Sequence, residues 1–389
     1  MIIIKTFKKS IIFLTCLVWV LENHCRADPD TITDEYVSNE QCPTLPKNKG
    51  CYCKVMETKT TEKQIEGKEI TIIAKYFSLS CISIREQKDL LDALRILTET
   101  ASYNISLHVK YSRFDFISHF ALEFEKIKNA GSKQRRPINI QSLSLYYNKF
   151  NSITPDAFQP LSQNLVSLSI FDSMLKPTLT RPKLNMFYEA LKPLENLETL
   201  DLIIPEEFEF DASFFENFPK LKTLFLMSYN LRHLKNSKGF RSLTNLKKLI
   251  FVSKLPNLPN SRISLPHLEE LHFHSSSTTF QNDTLNNFGP ELRTLDLSNN
   301  GIDKIPVGVF QNSLKLVNLI LSNNHLESLP PLCSSSHSSI DISGERNEDI
   351  TIERDVHGKA ETKNNNLTHL DLSDNEFKDG SLTKETFAR

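Results

Sequence analysis

His267, His272 and His274, in the run HLEELHFHSSS, form the one cluster in this sequence close enough to share a metal ion. His272 and His274 are two residues apart, so in a strand they project from one face, and Glu270 falls on that face as well. Two imidazoles and a carboxylate are a donor set that zinc accepts. Strand histidines facing solvent are, however, usually plain polar surface, so no metal and no other cofactor is assigned. Other chemistry lacks its motifs: the sequence has no phosphate-cradling glycine loop, no nucleophile elbow and no zinc-protease helix pair. The expectation is a chain that is not an enzyme.

Cysteines are the second reactive set. Met1 to Ala27 reads as a secretory signal, with Lys5, Lys8 and Lys9 ahead of an apolar run from Ile11 to Leu21 and a small-residue cleavage site at Ala27. That run is too short to span a bilayer comfortably, and no later stretch is long and apolar enough to be a membrane helix. Export removes Cys16 and Cys25 and leaves Cys42, Cys51, Cys53, Cys81 and Cys333. In an oxidising compartment the first four form a disulfide framework with three possible pairings, and Cys333 is left odd. Export also lends weight to three N-glycosylation acceptors, Asn104, Asn282 and Asn366. A net charge of -1 gives no reason to expect a nucleic acid partner.

What must position these residues is a repeat. Leu292, Leu295, Leu297, Asn300, Ile302 and Ile305 recur as Leu316, Leu319, Leu321, Asn324, Leu326 and Leu329. This is the leucine-rich repeat pattern. Positions 4 and 6 point to one face of a short strand and positions 5 and 7 to the other. At position 9 an asparagine amide can satisfy backbone groups where the chain turns out of the strand. Repeats start at Ile140, Leu165, Leu197, Leu221, Leu246, Leu268, Leu292, Leu316 and Leu367. Asparagine gives way to Ser173, Pro205, Tyr229, Lys254 and Ser276 in the middle repeats, which are expected to be less regular. The fold class is therefore α/β: a leucine-rich repeat solenoid with a curved parallel sheet on its concave face, an irregular or short-helical convex face and a cysteine-bearing N-terminal cap. One unit cannot enclose its own apolar face, so stability comes from stacking.

The organisation follows from these signals. Residues 1–27 are the signal, 28–41 a flexible acidic N-terminus, and 42–103 the cap, with a helix from about Arg85 to Thr100. Residues 104–331 are repeats, 332–365 an irregular insert or a decayed repeat, and 366–389 a last repeat after which the chain is expected to continue. Binding is the expected work of the concave sheet. Its positions 5 and 7 place Phe171, Ile203, Phe225, Met227, Ile250 and Val252 toward solvent, flanked by Tyr146, His272 and His274. Contiguous apolar surface of that kind marks contact with another extracellular or cell-surface protein. A register slip of one residue would instead bury them.

The spaced cap CPTLPKNKGCYC, the strand FSLSCISI and the helix DLLDALRIL resemble the arthropod family of the Oplophorus-type luciferin monooxygenase non-catalytic subunit. The resemblance runs from about Cys42 to Phe387. It implies a non-enzymatic secreted chain that binds or stabilises another protein. The cap of extracellular leucine-rich repeat proteins, which this one also resembles, implies pairing of Cys42 with Cys53 and of Cys51 with Cys81. Two other readings stand beside a secreted binder: the ectodomain portion of an adhesion or Toll-like receptor, and an accessory subunit that stabilises an extracellular oxygenase. The oligomeric state is open.

Overall fold

The computed structural model describes residues 42–43, 45, 50–63, 69–100, 104–116, 139–171, 181–204, 210–228, 237–253, 264–275, 285, 288, 290–306, 309–310, 313–328, 341–343, 351–353 and 367–377. The signal segment, Cys333, Asn282, Asn366 and the five irregular position-9 residues all lie outside them. Two compact units divide the chain, one running from Asn23 to Ile203 and the other containing Ile204 to Arg389.

The first unit opens with a long antiparallel hairpin, β1 (Cys51–Lys63) and β2 (Glu69–Ile82), registered from Cys51 opposite Cys81 to Lys63 opposite Glu69. The charged, threonine-rich stretch after Cys53 therefore extends the hairpin. Disulfides join Cys42 to Cys53 and Cys51 to Cys81. Helix α1 (Gln87–Thr100) follows, starting two residues later than expected, and buries Leu90, Leu91, Leu94 and Leu97. Then come β3 (Asn104–Lys110), β4 (Arg113–Phe116), β5 (Ile140–Tyr146), β6 (Lys149–Ser152), β7 (Ser167–Phe171), helix α2 (Arg181–Leu191) and β8 (Thr199–Ile204). The strand order is β1-β2-β3-β5-β7-β8, parallel from β2 onward, while β4 and β6 pair as a separate small sheet. Each parallel step is one repeat.

The second unit carries β9 (Thr223–Ser228), β10 (Lys248–Ser253), β11 (Glu270–Ser275), β12 (Thr294–Asp296), β13 (Asn318–Ile320), β14 (Asp341–Ser343), β15 (Thr351–Glu353) and β16 (His369–Asp371). β9 to β13 run parallel in chain order, and β13 then pairs directly with β16, setting Leu319 beside Leu370. The repeat at Leu367 thus stacks on the repeat at Leu316. Among the described residues between them are β14 and β15, which pair antiparallel with each other and on to β16.

Positions 4 and 6 make the core as the pattern requires. Leu224, Leu226, Leu249, Phe251, Leu271, Phe273, Leu295, Leu297, Leu319, Leu321, Leu370 and Leu372 are all buried. Each such side chain contributes roughly 1.5–3 kcal/mol by leaving water. Behind the strands of the second unit, Phe215 packs against Phe240 with ring centroids 4.8 Å apart, and Phe214 meets Phe218 at 4.9 Å. Phenylalanine is the filler of this side.

The position-9 asparagines do what their chemistry allows. Asn300 accepts the Ser275 amide at 2.7 Å and donates to the Phe273 carbonyl at 2.7 Å, so one amide stitches two repeats. Asn148 repeats this on Ser112 and Val109, and Asn375 on Leu326 and Leu321. In the turn after β3 Ser112 stands in: its Oγ accepts from the Ile84 amide and donates to the Lys110 carbonyl, both at 3.0 Å.

Candidate binding surface

The sheet face opposite the core is built from in-register rows. In the second unit the position-5 row reads Phe225, Ile250, His272, Asp296, Ile320 and Asp371. At position 7, Met227, Val252 and His274 align in the same way. The expected register is therefore present, without a slip of one residue. Exposure is another matter.

Phe225, Met227, Ile250, Val252 and His274 are buried, Phe225 completely; in the first unit Phe171 and Ile203 are buried too. The apolar patch expected from the sequence is not an open surface in either unit. Of the expected contact residues only Tyr146 and His272 are partly exposed. The reason is legible in composition. LFLM, LIFV and LII are apolar at successive positions, which is the pattern of strands covered on both faces, whereas LDLS alternates as a half-exposed strand does. Strands lie about 4.8 Å apart, so each row also packs its own members side by side.

Where the apolar rows end, a polar cluster begins. The buried Asp296 carboxylate accepts from His272 Nδ1 at 3.2 Å and from the Ser298 amide at 2.9 Å, and His274 Nε2 lies 3.9 Å away. His274 Nδ1 is 3.1 Å from the Ser298 carbonyl, which can only accept, so that nitrogen carries the proton. Burial pushes the His274 pKa down, against the pull of Asp296 and of the Ser298 carbonyl. Burial would push Asp296 up, but the His272 hydrogen bond, the His274 charge and the Ser298 amide outweigh it and hold the carboxyl at about 2. The carboxylate therefore stays charged and fixes both rings. His272 Nε2 sits 3.7 Å from Glu270 Oε2, with no hydrogen-bond partner among the described residues. Those residues hold no group of three or more His, Cys, Asp or Glu side chains placed to bind a metal ion. His267 lies in the turn before β11, exposed. The carboxylate at the centre was not part of the expected site, although its position-5 register in LDLS gave it away.

The first unit carries a different feature, at the C-terminal ends of its strands. Tyr111 and Tyr147 stack with ring centroids 5.3 Å apart and planes 5° from parallel, and both are exposed. Both adopt left-handed backbone, φ 53° and 54°. That is position 8 of the repeat, held elsewhere by Asn299, Asn323 and Asp374, which enter this region readily. A tyrosine there is strained by about 1–3 kcal/mol. Tyr111 donates its amide to the Tyr146 carbonyl at 3.0 Å and Tyr147 to the Phe171 carbonyl at 2.9 Å, which fixes the turns side by side. Tyr146 itself is half-buried, with Lys110 Nζ 5.6 Å from its ring centroid. The signal for this pair was the aromatic just ahead of Asn148 and Ser112, where the regular repeats carry asparagine or aspartate.

Asn104, an expected glycan acceptor, opens β3 half-buried, its Oδ1 accepting from Asn139 at 2.5 Å. Among the described residues no helix is long and apolar enough to cross a membrane.

Leucine rich repeat family models match residues 290–341, 139–161 and 366–387, and neither model describes a catalytic family. The chain is a leucine-rich repeat protein, with a mostly parallel sheet and disulfides near its N-terminus. No curated protein sequence matches it. Among solved structures it is similar to an internalin from Listeria monocytogenes, with 14% identity over 65% of this chain and 68% of that one and a TM-score of 0.37. It is also similar to a chain of the Drosophila Toll–Spatzle complex, with 16% identity over 84% of this chain and 48% of that one and a TM-score of 0.37. The TLR13–ssRNA13 complex matches with 18% identity over 64% of this chain and 46% of that one and a TM-score of 0.30. The chain thus spans about half the length of the latter two.

Proposed function

We propose that this leucine-rich repeat protein is exported and acts outside the cell, without catalysis, by binding another extracellular or cell-surface protein. The observation that carries the reading is the pair of disulfides at the first hairpin, Cys42 with Cys53 and Cys51 with Cys81. Such bonds persist where the medium is oxidising. The basic and apolar leader from Met1 to Ala27 supports the same compartment. Stacked repeats then offer long ranks of side chains on rigid strands, a surface suited to a protein rather than a small molecule.

Expression with its own leader in secretory cells tests the compartment. The expected product appears in the medium, starts at Asp28, carries glycan at the Asn104, Asn282 or Asn366 acceptors and yields the two linked cysteine pairs on non-reducing peptide mapping. Retention in the cytosol with free thiols would overturn it. Capture from extracellular fluid, followed by rebinding of the purified partner, tests the binding. The finer resemblance to the luciferin monooxygenase non-catalytic subunit rests on the cap and helix motifs alone and predicts co-purification with a small enzyme. The receptor-ectodomain reading predicts a membrane segment in the coding sequence beyond Arg389.

A further inference from the structure

Six large apolar or aromatic side chains stand exposed among the described residues, and three of them, Ile82, Tyr111 and Tyr147, belong to one ledge. The ledge is formed by the turns that end β2, β3 and β5. Ser83, Tyr111 and Tyr147 all take left-handed φ there, and the Ser83 amide reaches the Lys110 carbonyl at 2.9 Å, which aligns the first turn with the next. Both rings reach the surface, at 59% and 39% exposure. Asparagine would fit the backbone better and form the same turn. Strained, solvent-facing aromatics held in register are a feature that folding does not require.

The charge beside them is mostly positive. Arg85 and Arg113, each two residues beyond its left-handed turn, are exposed, and the Arg113 amide donates to the Ile84 carbonyl at 3.2 Å, placing the two in adjacent rows. Lys110 stands over Tyr146 at the ledge's inner side. Glu86 is the exposed acid alongside. Tyrosine offers a large rigid contact at small entropic cost, and arginine pairs with carboxylates in a fixed fork.

Resting on the protein-binding reading above, we infer that the Tyr111–Tyr147 ledge docks an acidic, apolar-containing segment of the partner protein, with the stacked rings taking its apolar side chain and Arg85, Arg113 and Lys110 its carboxylates. A sulfated glycan would use the cations but has no apolar side chain for two exposed rings. Steering by these charges weakens with salt, because exposed pairs are screened beyond a Debye length.

The test uses the full secreted chain and a panel of fluorescent peptides in which aspartate and glutamate flank leucine or phenylalanine, with lysine-for-acid counterparts and heparin as the other arms. Acidic peptides are expected to bind at least tenfold more tightly than their lysine counterparts, and added salt is expected to weaken them. Tyr111→Asn with Tyr147→Asn should lower that affinity at least tenfold while leaving the thermal midpoint unchanged or higher, since asparagine suits both turns. Arg85→Glu with Arg113→Glu should do the same to affinity. Undiminished binding by the asparagine variant, failure of every acidic peptide to bind the wild type, or binding of heparin alone overturns the ledge. The wider reading is separable: an asparagine variant that still captures the extracellular partner places the contact elsewhere, whereas a wild-type chain that captures no protein removes the binding function itself.

Discussion

Asn324 holds Asn300 across one repeat: its Oδ1 accepts the Asn300 amide at 3.0 Å and the Ile302 amide at 3.0 Å, while its Nδ2 donates back to the Leu297 carbonyl at 3.0 Å. Both asparagines are buried. Each therefore stands in for water at backbone groups of the turn, and the stack of repeats is cross-linked by amides as well as by leucines.

Asn300→Ala removes an acceptor from the Ser275 amide and a donor from the Phe273 carbonyl, two hydrogen bonds within a buried turn. The expected loss is about 3 kcal/mol, since a buried hydrogen bond removed from one side costs about 1–3 kcal/mol and the two terms overlap. Asn318→Ala, which breaks only a half-buried contact to Thr294 at 3.1 Å, should cost less than about 1 kcal/mol. Urea unfolding of the two variants decides this. Equal losses would show that the ladder is not what stabilises the turns.

Phe225→Asp should unfold the chain or block its secretion. A carboxyl placed at a completely buried site has no partner, and a loss above about 4 kcal/mol is the expected scale for such a change. Circular dichroism and secreted yield report it. A folded variant of unchanged thermal midpoint would mean that this face is open to solvent after all.

The Asp296 cluster predicts two acid limbs in stability. His274 is pushed below its ordinary 6.5 by burial, so under that pH the unfolded chain binds a proton the folded chain resists, and stability falls as pH drops below about 6.5. Asp296 is held at about 2 against an ordinary 3.8, so its contribution is full above 3.8 and is lost as pH falls from there toward 2. That second limb is worth about 2 kcal/mol. Thermal midpoints between pH 8 and 2 should show both, and Asp296→Asn should erase the lower one. A profile with the same lower limb in that variant would assign it to other carboxylates.

Gly239→Ala tests packing on the side opposite the sheet. A Cβ at Gly239 would lie 2.0 Å from the Ala212 carbonyl oxygen, and that neighbour is backbone, which cannot swing aside. A loss of about 2–3 kcal/mol is expected. Differential scanning calorimetry of the variant measures it, and an unchanged transition would show that the two segments do not touch.

Spacing alone was enough to read the repeat, because a period-2 leucine pattern with an asparagine at the turn admits one solution: parallel strands stacked through positions 4 and 6. That is why Leu295 with Leu297 and Leu319 with Leu321 lie where the pattern puts them. The work of Asn148, Asn300, Asn324 and Asn375 was readable for the same reason, being local to one turn and its neighbour. So was the place of the repeat at Leu367, although only strand pairing shows that it docks straight onto the repeat at Leu316.

Exposure was not readable by that means. Alternation says which face a side chain takes, and Phe225 and Ile250 do take the face opposite the core, but solvent access depends on everything packed over and beside that face. Likewise His272 and His274 were visible as a pair, whereas the carboxylate between them comes from the next repeat, 24 residues on from His272. Tyr111 and Tyr147 lie farther apart in sequence still, and only the parallel register makes them neighbours. The sequence by itself determined the period, the core and the turn chemistry, because these are set within one repeat. Tertiary structure decided what meets across repeats and what water reaches, because both are properties of the stack rather than of the chain.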